Sequence, residues 1–461
     1  MQNNITDKFA LDSIDHDELL HFLSLYYVSA WRTRELGREL TTEIALPASE
    51  QFALRLQFRR GRISKLYRGP LLSKQRDLDA LLEAIRVNCL DTATKAYGRG
   101  LLMVSRPVRG SYCSPSARVQ MLPPTDDLPR PGALHGQHPL LLEFPIRSWQ
   151  RDGMQLWRRS KSLTEWGWAL NALLNDTVHV ESHRHRQSWV FNLADRSYAY
   201  AQSIFPPVSG AVIITSLSAC GMALPVVSAA IYYADWGTRA RANLPLDELI
   251  LPDDLDRSLG KFDVLQGIER HRFLSSAGMV SIASESWNTT ISTSFIATVQ
   301  AIECVAQGLQ KSIRRWLVWS QAVGPVRRFR QICEGHGTAA GVDDKTLQQL
   351  YAIRSGMVHG ESLFDVDRHP WGAGVAGTVL GLDDTDAAAA ATRLAKSVLR
   401  DWLMTRTQFA VSRAVEIRRC KRISKQDKVQ LAPSRGPGWP FEPFLPFWEA
   451  TGLANRRSRN E

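Results

Sequence analysis

A chain of 461 residues, 44% hydrophobic and 22% charged, is long enough for two or three domains and has the balance of an ordinary globular protein. Its formal net charge is +11, unevenly spread: Thr385 to Glu461 holds 15 Lys/Arg against 7 Asp/Glu, so that end alone carries +8. A basic end favours polyanions, nucleic acid first, through counterion release, although a solvated helical face with a basic tail has the same composition. Six scattered cysteines (Cys89, Cys113, Cys220, Cys304, Cys333 and Cys420) with no CxxC pair exclude a small disulfide framework and suggest free thiols in a reducing compartment. The start, Met-Gln-Asn-Asn-Ile-Thr-Asp, has neither the basic residues nor the apolar run of a signal peptide.

In chain order, Leu20, Leu23, Tyr27 and Ala30 fall at three- and four-residue steps, which predicts an amphipathic helix over 17–39 with Asp15 or Asp17 as N-cap. A basic stretch follows (Arg59, Arg60, Arg62, Lys65, Arg68, Lys74 and Arg76), either a solvated surface or a phosphate track, and then a second helix over 77–90. From about Leu101 to Leu193 the runs 101–108, 118–122, 140–146, 177–181 and 189–193 read as strands between Pro- and Gly-rich loops, with one helix over 163–174. In this region Trp157, Trp166 and Trp168 lie near Arg158, Arg159 and Lys161; core or interface anchors are the expected role, base stacking the other. His179, Glu181, His183 and His185 alternate, so one strand would put them on one face, where they could bind a transition metal. They would stand nearly in a line beside Arg184 and Arg186, however, so a polar surface strand is the better reading, with RNA or ligand contact the next.

No charged residue occurs between Arg196 and Asp235, and 211–233 is long enough to span a membrane. Pro206, Pro207, Gly210, Gly221 and Pro225 interrupt it, which fits buried strands and short helices better than a membrane tether. After about Asn243 the chain reads as mainly helical. A long helix over 294–321 carries Val299, Ile302, Val305 or Ala306, Leu309, Ile313 and Trp316 on one stripe, with Glu303, Gln307, Lys311 and Arg314 on other faces. Arg327 to Glu334 resumes a helix after Gly324-Pro325. A short helix over 345–359 follows, capped by Asp343 or Asp344. Residues 361–384 form a Gly- and Asp-rich connection in which Gly372, Gly374 and Gly377 match the dinucleotide fingerprint by letter, but without the preceding strand that fingerprint needs. A final helix runs from Thr385 to about Arg422, and a proline- and aromatic-rich tail follows.

The short helix bears the chemistry. Leu347, Leu350, Tyr351 and Val358 mark one face, and Arg354 falls on that face, where a guanidinium needs an anionic partner. His359 is five residues on, and Gly360 after it is a natural left-handed stop that puts His359 in the last turn. Arginine offers a cationic fork for phosphate, and histidine moves protons near neutral pH. Together they can cut RNA without a metal: a base takes the proton of a 2′-hydroxyl, a cation steadies the phosphoryl oxygens, and an acid protonates the leaving oxygen.

The pattern Tyr351-xx-Arg354-Ser355-xx-Val358-His359-Gly360, preceded by a long helix with Ala301-Ile302-Glu303 and followed by another, resembles the Apea-like branch of the HEPN superfamily over about residues 285–425. That family is an all-helical bundle whose RxxxxH motif serves metal-independent ribonucleases, many of them in toxin–antitoxin and antiphage systems. The resemblance implies Arg354 and His359 as the catalytic pair, Ser355 at a polar position commonly held by asparagine, Glu303 as the group that orients Arg354, and Tyr351 as a supporting residue.

The expected fold is therefore α+β: an amino-terminal mixed α/β-type domain (1–205) and a connecting region (206–284), followed by a C-terminal all-α HEPN-like helical bundle (285–425) and a basic, aromatic-rich tail (426–461). The expected function is a cytoplasmic RNA-cutting effector with no cofactor, no metal and no membrane attachment. It would dimerise through the HEPN-like domain so that two motifs meet, and its amino-terminal domain would answer a phage-derived trigger. The rival is a HEPN-type binding or assembly module without nuclease activity, whose sign would be a buried His359.

Overall fold

In the strands Phe52–Arg59 and Arg62–Arg68, Leu54, Leu56, Ile63 and Leu66 are buried while Arg55, Gln57, Lys65 and Tyr67 stay at least partly exposed, as in a sheet with one solvated face whose alternation is broken by a register shift after Gln57. This hairpin anchors the first layer of a computed structural model that describes residues 3–6, 16–27, 30–36, 39–45, 52–59, 62–72, 74–90, 94–123, 138–147, 152–180, 188–192, 197–201, 212–234, 248–287, 289–314, 325–336, 342–360, 363–364, 367 and 385–405. Strands β1 (Asn3–Asn4), β2 (Ala30–Leu36), β3 (Glu39–Ala45), β4 (Phe52–Arg59) and β5 (Arg62–Arg68) form an antiparallel sheet in the order β1-β5-β4-β3-β2. Helices α1 (His16–Tyr27) and α2 (Gln75–Ile85) bury Leu19, Phe22 and Leu23, and Leu78, Leu81 and Ile85, in the same core cluster as this sheet. The helix expected over 17–39 thus stops at Tyr27, and residues 30–36 pair as a strand with 39–45. A π-helical turn (Arg86–Leu90) closes α2.

The second sheet contains β6 (Thr94–Val104), β7 (Tyr112–Ser114), β8 (Val119–Leu122), β9 (His138–Arg147) and β10 (Val178–Val180), in the order β10-β6-β9-β8-β7. Strands β11 (Ser188–Asn192) and β12 (Ser197–Ala201) form a separate hairpin, and β13 (Val212–Ile214) pairs with β6. Helix α3 (Asp152–Leu173) lies on one face of the sheet, twice as long as expected. Two glycines let it approach closely: a Cβ on Gly100 would come 2.5 Å from Leu163, and one on Gly167 would come 2.3 Å from Val180. The uncharged run holds β13, then β14 (Val226–Val227) and the short α4 (Ala229–Tyr232), and β14 pairs in parallel with β15 (Leu251–Pro252). Among the described residues no helix is long and apolar enough to cross a membrane.

From residue 255 every described element is a helix: α5 (Leu255–Asp263), α6 (Gly267–Ser286), α7 (Ile291–Arg314), α8 (Pro325–His336), α9 (Asp344–Val358) and α10 (385–405). The fold is therefore mixed α+β. Helix α10 buries Ala388, Ala391, Leu394, Ala395, Val398, Leu399, Trp402 and Leu403, a stripe at three- and four-residue steps. Aromatic rings carry the packing from sheet to helices: Trp166 meets Phe262 edge-on at 4.8 Å, Phe262 meets Phe273 at 5.4 Å, and Phe273 stacks on Trp402 at 6.3 Å.

One buried cluster thus runs from Leu102 to Leu403, and a separate one holds Ile5 to Cys89 together with Met154. The larger cluster joins residues of the second sheet and α3 to residues of α5 and α6. Residues 1–406 form one compact unit. Residues 407–461, including Cys420 and the proline-rich tail, lie outside the described residues.

The amino-terminal layer is joined to α3 by a buried ion pair. Arg158 donates to the Glu18 carboxylate and to the Asn88 carbonyl, and both charged side chains are almost completely enclosed. Burial pushes the Glu18 carboxyl above its usual range, against the opposing pull of Arg158. Glu18→Ala leaves the guanidinium buried and uncompensated, so it is expected to cost about 3–5 kcal/mol in urea unfolding. A loss under about 1 kcal/mol would show that water reaches Arg158.

Candidate functional site

The carboxylate of Asp343 accepts a hydrogen bond from the Thr346 N–H at 2.8 Å and so caps α9. Asp344, the other expected cap, pairs instead with Arg330 on α8. Leu347, Leu350, Tyr351 and Met357 are buried, and Val358, expected on this face, is half-buried. The helix ends as its sequence dictates. Gly360 takes a φ of +75° with open space where a Cβ would stand, the His359 N–H donates to the Ser355 carbonyl at 3.1 Å, and the Gly360 N–H donates to Met357 at 3.1 Å. Gly360→Ala places a side chain in the left-handed region and is expected to cost about 1 kcal/mol in chemical unfolding, with Gly360→Asn better tolerated. Equal stability of all three proteins would exclude a left-handed residue there.

Arg354 finds its anion. Its Nη2 donates to Glu303 Oε2 at 2.8 Å, and the two side chains are 18% and 25% exposed. Glu303 projects from α7 next to the buried Ala301 and Ile302, so the core side of α7 fixes the carboxylate that faces α9. The guanidinium also lies over the Tyr351 ring, 5.9 Å from its centre. On its other side Tyr351 packs against Phe329 of α8 at 5.3 Å. Burial, and then the Glu303 carboxylate, hold the Tyr351 phenol above its usual range, with Arg354 and Arg328 pulling the other way. Arg328 is a cation of this site that the sequence reading did not single out; its only signal was the basic run Arg327-Arg328 beside a buried Phe329. Burial, followed by Glu303, also raises the neighbouring Cys304 thiol.

His359 is exposed at the open end of α9, with Ser355 half-buried one turn before it. Among the described residues no hydrogen bond joins its imidazole to Arg354 or Glu303. The Nε of Arg354 is buried without an acceptor among the described residues. The arrangement thus offers a cation oriented by Glu303 and, five residues along the same helix, an imidazole open to solvent.

The other candidates are placed differently. Trp166 is in the core, the Trp168 ring lies 3.4 Å from where a Cβ on Gly278 would stand, and Trp157 stacks on His21 at 5.4 Å with Lys161 over its ring at 4.7 Å, so all three are packing residues. His179 is on β10, while Glu181, His183 and His185 lie outside the described residues, as do Gly372, Gly374 and Gly377. Among the described residues no group of three or more His, Cys, Asp or Glu side chains is placed to hold a metal ion. Compared with protein-family models, with curated proteins and with solved structures, the chain finds no match in any of the three.

Proposed function

We propose that this chain is a metal-independent endoribonuclease of HEPN type, in which the helices from residue 285 onward form the nuclease bundle. The observation that supports it is Arg354, held by Glu303 from the neighbouring helix and followed five residues later by an exposed His359. In this reading His359 takes the proton of a ribose 2′-hydroxyl. The freed oxygen attacks the adjacent phosphorus, the 5′-oxygen leaves, and an imidazolium returns a proton to it. Arg354 steadies the charge that grows on the non-bridging oxygens, and its orientation comes from Glu303 and the Tyr351 ring. Ser355 supports the turn by accepting the His359 N–H.

One chain supplies one such pair. A homodimer through the bundle places a second His359 near the first, so that one can act as base and the other as acid. The setting is a cytoplasmic antiphage or toxin effector, with the amino-terminal α+β region answering a phage-derived trigger. The exposure of His359 favours the nuclease over a bundle used only for binding or assembly.

The test is RNA cleavage by the purified full chain in EDTA, beside His359→Ala, with and without phage lysate. Cutting by the wild type that disappears in the variant is the expected result. Equal cutting by both proteins removes His359 from the chemistry. Silence from both, lysate included, leaves the binding module as the better account.

A further inference from the structure

A polar row crosses the second sheet on one face. In the strand register Arg99 of β6 stands opposite Glu143 of β9, Glu143 opposite Gln120 of β8, and Gln120 opposite Cys113 of β7. The segment that follows β13 is fastened along this row. The Ser218 N–H and hydroxyl donate to the buried Glu143 carboxylate at 2.8 and 2.7 Å, and Arg99 Nη2 donates to the Ser218 hydroxyl at 2.6 Å. In the orientation that satisfies both ends of its amide, Gln120 donates to the Ser218 carbonyl at 2.8 Å. Four residues further on the segment is fastened again: the Ser111 N–H donates to the Met222 carbonyl at 2.6 Å, and the Leu224 N–H donates to Ser111 at 2.9 Å. Cys220 lies between these two anchors, near Cys113 at the end of the row, whose sulfur acts on its thiol electrostatically. Both cysteines are exposed. Two thiols about a hundred residues apart in sequence are thus pinned side by side where small oxidants reach them.

We propose that Cys113 and Cys220 form a dithiol site that a peroxide converts to a disulfide, fastening residues 212–224 to the β7–β8 edge of the sheet. The Cys113 thiolate attacks one peroxide oxygen and breaks the O–O bond, leaving a sulfenic acid on Cys113 and one water after protonation. The Cys220 sulfur then attacks the Cys113 sulfur and displaces the hydroxyl as a second water. Two thiols and one hydrogen peroxide give one disulfide and two waters, with sulfur oxidised and peroxide reduced. Burial, and then the neighbouring Cys113 sulfur, raise the Cys220 thiol above its usual range, so Cys220 is assigned the second, resolving step. The site lies on the sheet and does not depend on the Arg354–His359 chemistry.

The test treats the full folded chain with hydrogen peroxide, blocks the remaining thiols under denaturing conditions, and maps tryptic peptides without reduction. Cleavage after Arg109, Arg118, Arg196 and Arg239 puts Cys113 and Cys220 in separate peptides, so a crosslink between 110–118 and 197–239 is unambiguous. That crosslinked mass, the loss of two titratable thiols, and a rise of a few degrees in the thermal midpoint that dithiothreitol reverses are expected. Cys113→Ser and Cys220→Ser should each lose all three effects. Crosslinks to other cysteines, or blocked thiols at both positions after peroxide, would overturn the proposal, and so would separate sulfinic acids on the two residues.

Discussion

Arg354→Ala is expected to lower RNA cleavage about 10²–10³-fold, and His359→Ala about 10²–10⁴-fold, the sizes found for a lost charge-stabilising donor and a lost proton-transfer group. The two variants should differ in stability. His359 is exposed, so its removal should leave the unfolding free energy within about 0.5 kcal/mol of the wild type. Arg354 is part of an ion pair about one-fifth exposed, so its removal leaves Glu303 without its partner and should cost about 1 kcal/mol. Arg354→Lys keeps the charge but not the fork, and should restore stability more than activity. Glu303→Gln keeps the guanidinium and loosens its aim, which predicts an intermediate loss, mainly in kcat. If Arg354→Lys cuts RNA as well as the wild type, a point charge suffices and the planar fork is not needed.

The second large effect is at Lys396 on α10, whose ammonium is fully buried. It donates to the carbonyls of Leu174, Asn175 and Asp176 at 2.6, 3.3 and 3.3 Å, closing the end of α3. Three donors meet three carbonyls of the turn that follows the last residue of α3. Lys396→Met keeps the length of the side chain and strands those carbonyls, so a loss of about 2–4 kcal/mol is expected in urea unfolding. Burial lowers the Lys396 pKa from the usual 10.5 to about 8, against the smaller opposing pull of Asp176. Between those values the unfolded chain binds more protons than the folded one, so stability rises with pH. The gain is absent below pH 8, complete above pH 10.5, and about 3 kcal/mol in size. Measured as wild type minus Lys396→Met, it is separated from the titration of other lysines and tyrosines. A difference that stays flat across this window would mean that water reaches the ammonium.

Much of the candidate site was legible because it is local. The Asp343 cap, the apolar stripe of α9 and the left-handed stop at Gly360 depend on residues within a turn of one another, and the structure places each where its chemistry requires. The need of Arg354 for an anion was legible too, since a guanidinium on a buried stripe cannot stand alone, and Glu303 meets it. Less of the amino-terminal half could be read. Residues 30–36 follow directly on the apolar stripe of α1, a stripe that ends at Ala30, yet pair with 39–45, a partner that no local period reveals. The first half of α3 was missed because charged residues such as Arg158 and Lys161 broke its apolar stripe, and Glu18 and the Asn88 carbonyl, both distant in sequence, make Arg158 tolerable there.

Elements that rest on period and punctuation, the basic end of the chain, and the Arg354–His359 spacing on one helix can be read along the chain. Tertiary structure decided the rest. It set Arg328 beside Tyr351, led Lys396 to the end of α3, and ran one core from the second sheet into the helices. It also brought Cys113 and Cys220 together through the register of four strands. The physical reason is one of range: caps, turns and helical stripes are settled among neighbours, whereas strand pairing and the partners of buried charges are settled by groups tens to hundreds of residues away, which only the packed chain brings into contact.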